Sequence, residues 1–260
     1  MPLDWYFAPL IVFTLVLSRV SGLVMTAPLL MSAEIPLQVR GLLTVAIAAL
    51  LTPTQIGAAI DYPRDLAGFG VLIGGELFLG MLLGAGVMIV LAGVQITGQL
   101  ISQLSGMSLA DVFNPGFDSE VPLVAHLLYL TTLAVFLLID GHRYLMGALL
   151  NTFATIPLGG GRMPATLAET ITTLLTESFS LGIRAAAPAM VALLLATVLL
   201  GLISRTIPQI NVMVVGFGVN SLITLGMLAI SLSSMVYVFQ DSFTPAIDQI
   251  IETLHAASNR

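Results

Sequence analysis

Seven long stretches of this chain are almost free of charge, and that pattern constrains its fold more than any other feature. A helix that crosses a bilayer needs roughly 20 apolar residues at about 1.5 Å of rise each. Runs of that character fall at about 5–33, 41–60, 66–104, 122–139, 143–157, 170–204 and 206–240. The separators are short and polar or rich in Pro and Gly: Glu34-Ile35-Pro36, Asp61-Tyr62-Pro63-Arg64-Asp65, Asp140-Gly141-His142-Arg143 and Pro157-Leu158-Gly159-Gly160-Gly161. Connections this short make sequence neighbours antiparallel hairpins. No run alternates apolar and polar residues as barrel strands do. The expected class is an all-α, polytopic membrane protein of helical hairpins, with residues 1–260 forming one membrane domain.

Composition closes off the other classes. Hydrophobic residues make up 57% of the 260 residues and charged residues only 8%, against about 25% charged in soluble domains. A soluble enzyme could not be coated by so few charges. Fourteen acids stand against eight bases, every one an arginine, so no basic cluster exists to neutralise nucleic-acid phosphates. The absence of cysteine excludes a disulfide framework, a thiolate metal site and a cysteine nucleophile. No His-Glu-x-x-His, Gly-x-Ser-x-Gly, phosphate-loop or dinucleotide motif occurs, and His126, His142 and His255 lack ligand spacing. Neither catalysis nor a cofactor is expected. Met1-Pro2-Leu3-Asp4 offers an acid where a secretory signal carries bases, so the first run is expected to be retained as structure.

Two runs exceed a simple span. As single helices, 66–104 and 206–240 would extend ~58 Å and ~52 Å against a hydrocarbon core of ~30 Å. The second holds Gln209, Asn211, Asn220, Ser221 and Thr224 around Gly216 and Gly218, so it either breaks at those glycines or packs against protein outside the lipid. The first carries Gly70/Gly74 and Gly80/Gly84, small-residue pairs that let helix backbones approach closely. Gln95, Gln99 and Gln103 follow at four-residue spacing and share one face. That face is read either as interhelical hydrogen-bonding glue or as a polar wall facing water or a passing polymer.

Residues 106–121 form a longer connection with a strong Asn-Pro-Gly turn signal at Asn114-Pro115-Gly116. It contains three acids, no base, and the apolar residues Met107, Phe113 and Phe117. Non-helical backbone at membrane depth is tolerated only against protein or a water-filled cavity, so the segment reads either as a surface loop or as a loop closing a conduit. Arg19, Glu76, Glu177, Arg184 and Arg205 interrupt apolar runs. Charges at such depth are costly and are paired or solvated, and structural pairing or interface roles account for them, with Arg205 snorkelling from a helix end. His142 sits in a polar turn as a capping or interfacial residue. After Pro245, Ile247, Ile250, Ile251 and Leu254 recur at helical spacing, which predicts a short amphipathic tail helix over 241–260 suited to an interface or a partner protein.

Three stretches together resemble the FliR family of flagellar export-gate proteins, related to the SctT proteins of virulence type III secretion. They are Leu17-Ser18-Arg19-Val20-Ser21-Gly22-Leu23 with Ala27-Pro28 and Ile35-Pro36-Leu37-Gln38-Val39-Arg40; Phe136-Leu137-Leu138-Ile139-Asp140-Gly141-His142-Arg143 with Phe153 and Ile156-Pro157-Leu158-Gly159; and Ser204-Arg205-Thr206-Ile207-Pro208-Gln209-Ile210-Asn211-Val212. Each is weak alone, and the three in order are specific.

The resemblance implies a structural role in a helical export-gate ring, assembled with FliP-like and FliQ-like subunits as a conduit for unfolded flagellar proteins. FlhB-like and FlhA-like proteins and the basal-body ring are the implied neighbours, and the bacterial inner membrane the implied location. It further implies a FliP-like portion at about 1–176 and a FliQ-like hairpin at about 177–240. The segment 106–121 then corresponds to the family's plug, with Gly106, Met107, Phe113, Asn114, Pro115 and Phe117 as plug residues and Gln95, Gln99 and Gln103 lining the approach. Arg19, Glu76, Asp140, His142, Arg184 and Arg205 are expected as structural or interface charges. The competing class is a secondary transporter or small-solute channel, which predicts two similar halves and a midplane binding site.

Overall fold

The structure, a computed structural model, describes residues 3–31, 35–56, 65–107, 122–160, 166–207 and 212–258. These residues are all-α. In chain order the helices are α1 (Leu3–Thr26), α2 (Pro28–Met31), α3 (Leu37–Gln55), α4 (Leu66–Ser105), α5 (Leu123–Leu138), α6 (Gly141–Thr155), α7 (Leu167–Thr206) and α8 (Val212–Ser258). Four of them, α1, α3, α4 and α7, are long and apolar enough to cross a membrane, and α5 with α6 pass together as one broken span.

The helix ends follow local chemistry. The first apolar run stops at Thr26 because Pro28 has no N–H to continue the ladder, and the proline instead opens the short α2. Pro36 and Pro122 likewise stand at the N-caps of α3 and α5. Between α5 and α6 the chain turns at Asp140, whose φ of 59° and ψ of 27° are left-handed. Asp is among the few side chains that visit this region readily.

The long runs do not break where glycine and proline suggested. α4 and α7 are continuous over 40 residues each. α8 runs 47 residues from Val212 to Ser258, through Gly216, Gly218 and Pro245, so the tail is the continuation of a long helix and not a separate one. Pro245 deletes one backbone hydrogen bond on an exposed face, while buried Phe243, Ala246 and Ile247 hold the helix on either side. Among the described residues a sharp break lies instead between α5 and α6, which meet at 65°.

The chain divides into two compact units. The first comprises Met1–Ile89, Asp140–Leu174 and Phe243–Arg260, and the second Val90–Ile139 and Leu175–Ser242. In the first, α1 packs against α3 and α4. The stripe Ile247, Ile250 and Leu254 of α8 is buried there, with Ile250 seated on Gly86 of α4. That apolar face is covered by this chain itself, not held free for a partner. In the second unit, Gly93 and Gly182 bring α4 and α7 together: an added β-carbon at either would stand 2.5 Å from a carbonyl oxygen of the other helix. Thr97 closes this crossing by donating to the Gly182 carbonyl at 3.0 Å.

Candidate functional site

The first unit contains a buried ion pair. α1 and α4 run parallel there: Gly22 abuts the Leu77 carbonyl, Gly80 abuts the Arg19 carbonyl, and Gly84 abuts Thr26. Without a hydrophobic force to join helices inside lipid, close packing of small residues and interhelical hydrogen bonds must do so. Thr26 adds one such bond, donating from Oγ1 to the Met81 carbonyl at 3.1 Å.

Beside this crossing Arg19 is 0% and Glu76 1% exposed, with Nε donating to Oε2 at 2.6 Å. The rest of the guanidinium is used as well. Nη1 donates to the Thr152 carbonyl at 3.0 Å, and Nη1 and Nη2 both reach the Ile156 carbonyl at 3.3 Å. These are carbonyls at the C-terminal end of α6, where positive charge is favoured; that of Thr152 also accepts the Ile156 N–H at 2.9 Å. The Phe153 ring lies beneath the guanidinium, with its centroid 4.4 Å away. Glu76 is equally occupied: its second oxygen, Oε1, accepts the Gly159 N–H at 2.8 Å.

That last bond depends on the turn after α6. Gly160 N–H donates to the Pro157 carbonyl at 2.9 Å, and Gly159 has a φ of 78°, as a turn with a left-handed third residue requires. The result is a fully satisfied clamp tying α1, α4, α6 and the 157–160 turn. Pairing and hydrogen bonding are what make two buried charges tolerable.

In the second unit, the end of α4 leads toward the 106–121 segment. Gln95 is half-buried while Gln99 and Gln103 are exposed. The helix stops at Gly106, whose φ of 75° no other residue type adopts as freely. Met107 N–H donates to Ser105 Oγ at 3.3 Å. Gly106 and Met107 are described, while Phe113, Asn114, Pro115 and Phe117 lie outside the described residues.

The other charges singled out lie apart from this clamp. Arg184 and Glu177 are both exposed on α7, and Arg205 is exposed at its last turn. Asp140 and Arg143 form a 3.6 Å pair that is 61% and 75% exposed, the kind worth little in stability. His142 is exposed. Sequence reasoning singled out Arg19 and Glu76 but not their partners. Phe153, Ile156 and Gly159 stood in the second of the three family-like stretches with no hint that they meet Arg19 and Glu76, and Thr152 carried no signal. Among the described residues no group of acids and histidines is arranged to hold a metal ion.

Helices of this length and polarity, locked by glycine crossings and a buried ion pair, define a polytopic membrane protein. The chain belongs to the family described as bacterial export proteins, family 1, which matches residues 10–246. It is similar to proteins named flagellar biosynthetic protein FliR. That of Caulobacter vibrioides is 26% identical over 237 residues, covering 91% of this chain and 94% of that protein. That of Escherichia coli K12 is 29% identical over 231 residues, covering 87% and 84%. That of Bacillus subtilis 168 is 27% identical over 243 residues, covering 91% and 92%. Family and relatives make this chain a membrane component of bacterial flagellar export.

Proposed function

We propose that the chain is a structural subunit of the flagellar type III export gate in the bacterial inner membrane, at the flagellar basal body. It forms a conduit for unfolded flagellar proteins with FliP-like and FliQ-like subunits, beside FlhB-like and FlhA-like proteins and the basal-body ring. Its role is to build and close a passage, not to catalyse a reaction. The observation that carries this reading is the large apolar surface left on α3, α7 and α8, within a family of export proteins. Leu42, Val191, Leu195, Leu199, Leu222 and Leu225 are all more than half exposed, and such faces need lipid or partner helices to cover them. The second unit's helical pair, Leu175–Thr206 of α7 and Val212–Ser242 of α8, supports the assignment of 177–240 as a FliQ-like hairpin following a FliP-like portion at 1–176.

Closure is assigned to the 106–121 segment, with Gly106 ending α4 and Met107, Phe113 and Phe117 sealing the passage around the Asn114-Pro115 turn. Gln95, Gln99 and Gln103 line the approach. Deleting 110–116 leaves the chain in the membrane at normal level but raises ion leak through reconstituted or cellular gates. Unchanged conductance with normal assembly removes the plug assignment.

A further inference from the structure

We infer that α7 meets lipid over only half its length: residues 185–204 lie against acyl chains, and Arg184 and Arg205 hold phospholipid phosphates at the two faces of the bilayer. This placement needs only that the chain is a membrane protein, and it holds whether or not the 106–121 segment closes a passage. A 40-residue helix extends ~60 Å, twice a hydrocarbon core of ~30 Å. Half of α7 must therefore stand outside the lipid, and its charges mark which half. Arg184 and Arg205 are 21 residues apart with no charge between them, a rise of ~32 Å. At the ~20° tilt usual for membrane helices, that rise spans ~30 Å, the thickness of the core.

Both arginines are exposed, and neither has an ion-pair or hydrogen-bond partner among the described residues. An arginine at the edge of an apolar span reaches along its aliphatic stem to a phosphate, which the planar fork binds through two hydrogen bonds. The surface of α7 changes at Arg184. Before it, Glu169, Thr172, Thr173, Thr176 and Glu177 are all exposed, a face suited to water. Phe179 and Ile183, also exposed, lie within two turns of Arg184 and so at headgroup depth.

After Arg184 the helix has one dry side and one open one. Ala186, Ala189, Leu193 and Ala196 are buried against this chain, while Val191, Leu194, Leu195, Val198, Leu199 and Leu202 are each at least half exposed. The hydroxyls of this part turn back on their own helix: Thr197 donates to the Leu193 carbonyl at 2.8 Å and Ser204 to the Gly201 carbonyl at 2.7 Å. No polar side chain within 185–204 is left to specify a partner protein, whose interfaces carry hydrogen bonds as well as apolar area. Acyl chains require apolar contact alone. The return helix agrees. Leu200 of α7 meets Gly216 of α8 near the closed end of the hairpin, and α8 then carries no charge from Val212 until Asp241. Tyr237, 73% exposed, stands just past the far edge of the core, in the interfacial layer where tyrosine is enriched.

The absence of native cysteine makes single-cysteine variants of the full chain readable in native membranes, with partners in place and the vesicles opened so that reagent meets both faces. A thiol reacts as its thiolate, which apolar surroundings suppress, so a charged, water-soluble maleimide should label Thr173→Cys and Glu177→Cys at least about tenfold faster than Leu195→Cys. A photo-crosslinking amino acid at Leu195 or Leu199 separates lipid from protein, and the expected adduct is with phospholipid. Arg184→Leu lengthens the uncharged run back to Glu177. Ile183→Cys should then become several-fold less reactive, whereas Arg184→Lys should preserve its labelling.

A discrete protein adduct at Leu195 or Leu199 overturns the lipid assignment. Equal labelling at Glu177→Cys and Leu195→Cys overturns the placement of the boundary, and so does unchanged labelling of Ile183→Cys beside Arg184→Leu. Every substituted position is exposed, so the cysteines leave the packing intact. If Arg184→Leu fails to accumulate, labelling and crosslinking in the otherwise native chain decide. The plug deletion is read by conductance, so its failure and the failure of this placement are told apart.

Discussion

The Arg19 carbonyl and Gly80 meet backbone to backbone where α1 crosses α4, and a β-carbon at Gly80 would fall inside that carbonyl oxygen. The same Arg19 sends its side chain to Glu76, one helical turn before Gly80 on α4. The glycine thus sets the distance at which the ion pair closes. Packing and electrostatics at this point are one construction.

Gly80→Ala should therefore act as an ion-pair variant. The obstructing atoms are backbone and cannot swing aside, so the cost lies at or above the upper end of the usual overpacking range of about 1–3 kcal/mol. The expected outcome is a sharply reduced membrane level by immunoblot and lost motility. Gly70→Ala is the contrast, because nothing lies within 4 Å of its added β-carbon, and it should gain up to about 1 kcal/mol of helix propensity. A Gly70→Ala variant as poorly accumulated as Gly80→Ala would contradict this account.

Removing one side of the clamp leaves a buried charge alone. Arg19→Ala or Glu76→Ala should cost about 3–5 kcal/mol, whereas the apolar double variant Arg19→Met with Glu76→Leu should cost much less than the two singles combined. Arg19→Lys should not restore stability, since one ammonium cannot span Glu76 and the Thr152 and Ile156 carbonyls as the planar fork does. Thermal unfolding of the detergent-solubilised protein gives the cycle. Strict additivity would show that the pair is not coupled.

The last part of α8 is held by a smaller set of contacts. Tyr144 donates its hydroxyl to Asp248 Oδ1 at 2.5 Å and meets the Phe243 ring edge-on at 5.9 Å between centroids. Thr170 and Thr253 share a further hydrogen bond at 2.9 Å. Tyr144→Phe should weaken docking by about 1 kcal/mol, as loss of one partly exposed hydrogen bond does. Ile250→Asp, which buries an unpaired charge against Gly86, should weaken it far more. Protease cleavage within 243–258 should rise modestly in the first variant and strongly in the second, and equal cleavage would refute the ranking.

The fold class was readable because uncharged length is a direct consequence of a lipid solvent, and runs such as 66–104 and 170–204 declared themselves. The clamp was half readable. Arg19 and Glu76 stand out as charges in apolar surroundings, but 57 residues separate them and nothing local says that they meet. Their other partners are main-chain atoms, Thr152 O, Ile156 O and Gly159 N, which carry no side-chain signature at all. Pro245 misled for a related reason: local propensity ends a helix there, and burial of Phe243, Ile247 and Ile250 overrides it. Of the two small-residue pairs, only Gly80/Gly84 serves the chain's own packing, because Gly70 and Gly74 face open space.

The first compact unit draws on residues 1–89, 140–174 and 243–260, so its parts leave the ribosome at widely separated times. α1 and α4 can cross early, but the clamp waits for Thr152, Ile156 and Gly159, and the cover over Gly86 waits for Ile250. Helices made early are thus sealed by segments made much later. A translation product stalled before Ile250 would leave the packing of α1 and α4 unfinished.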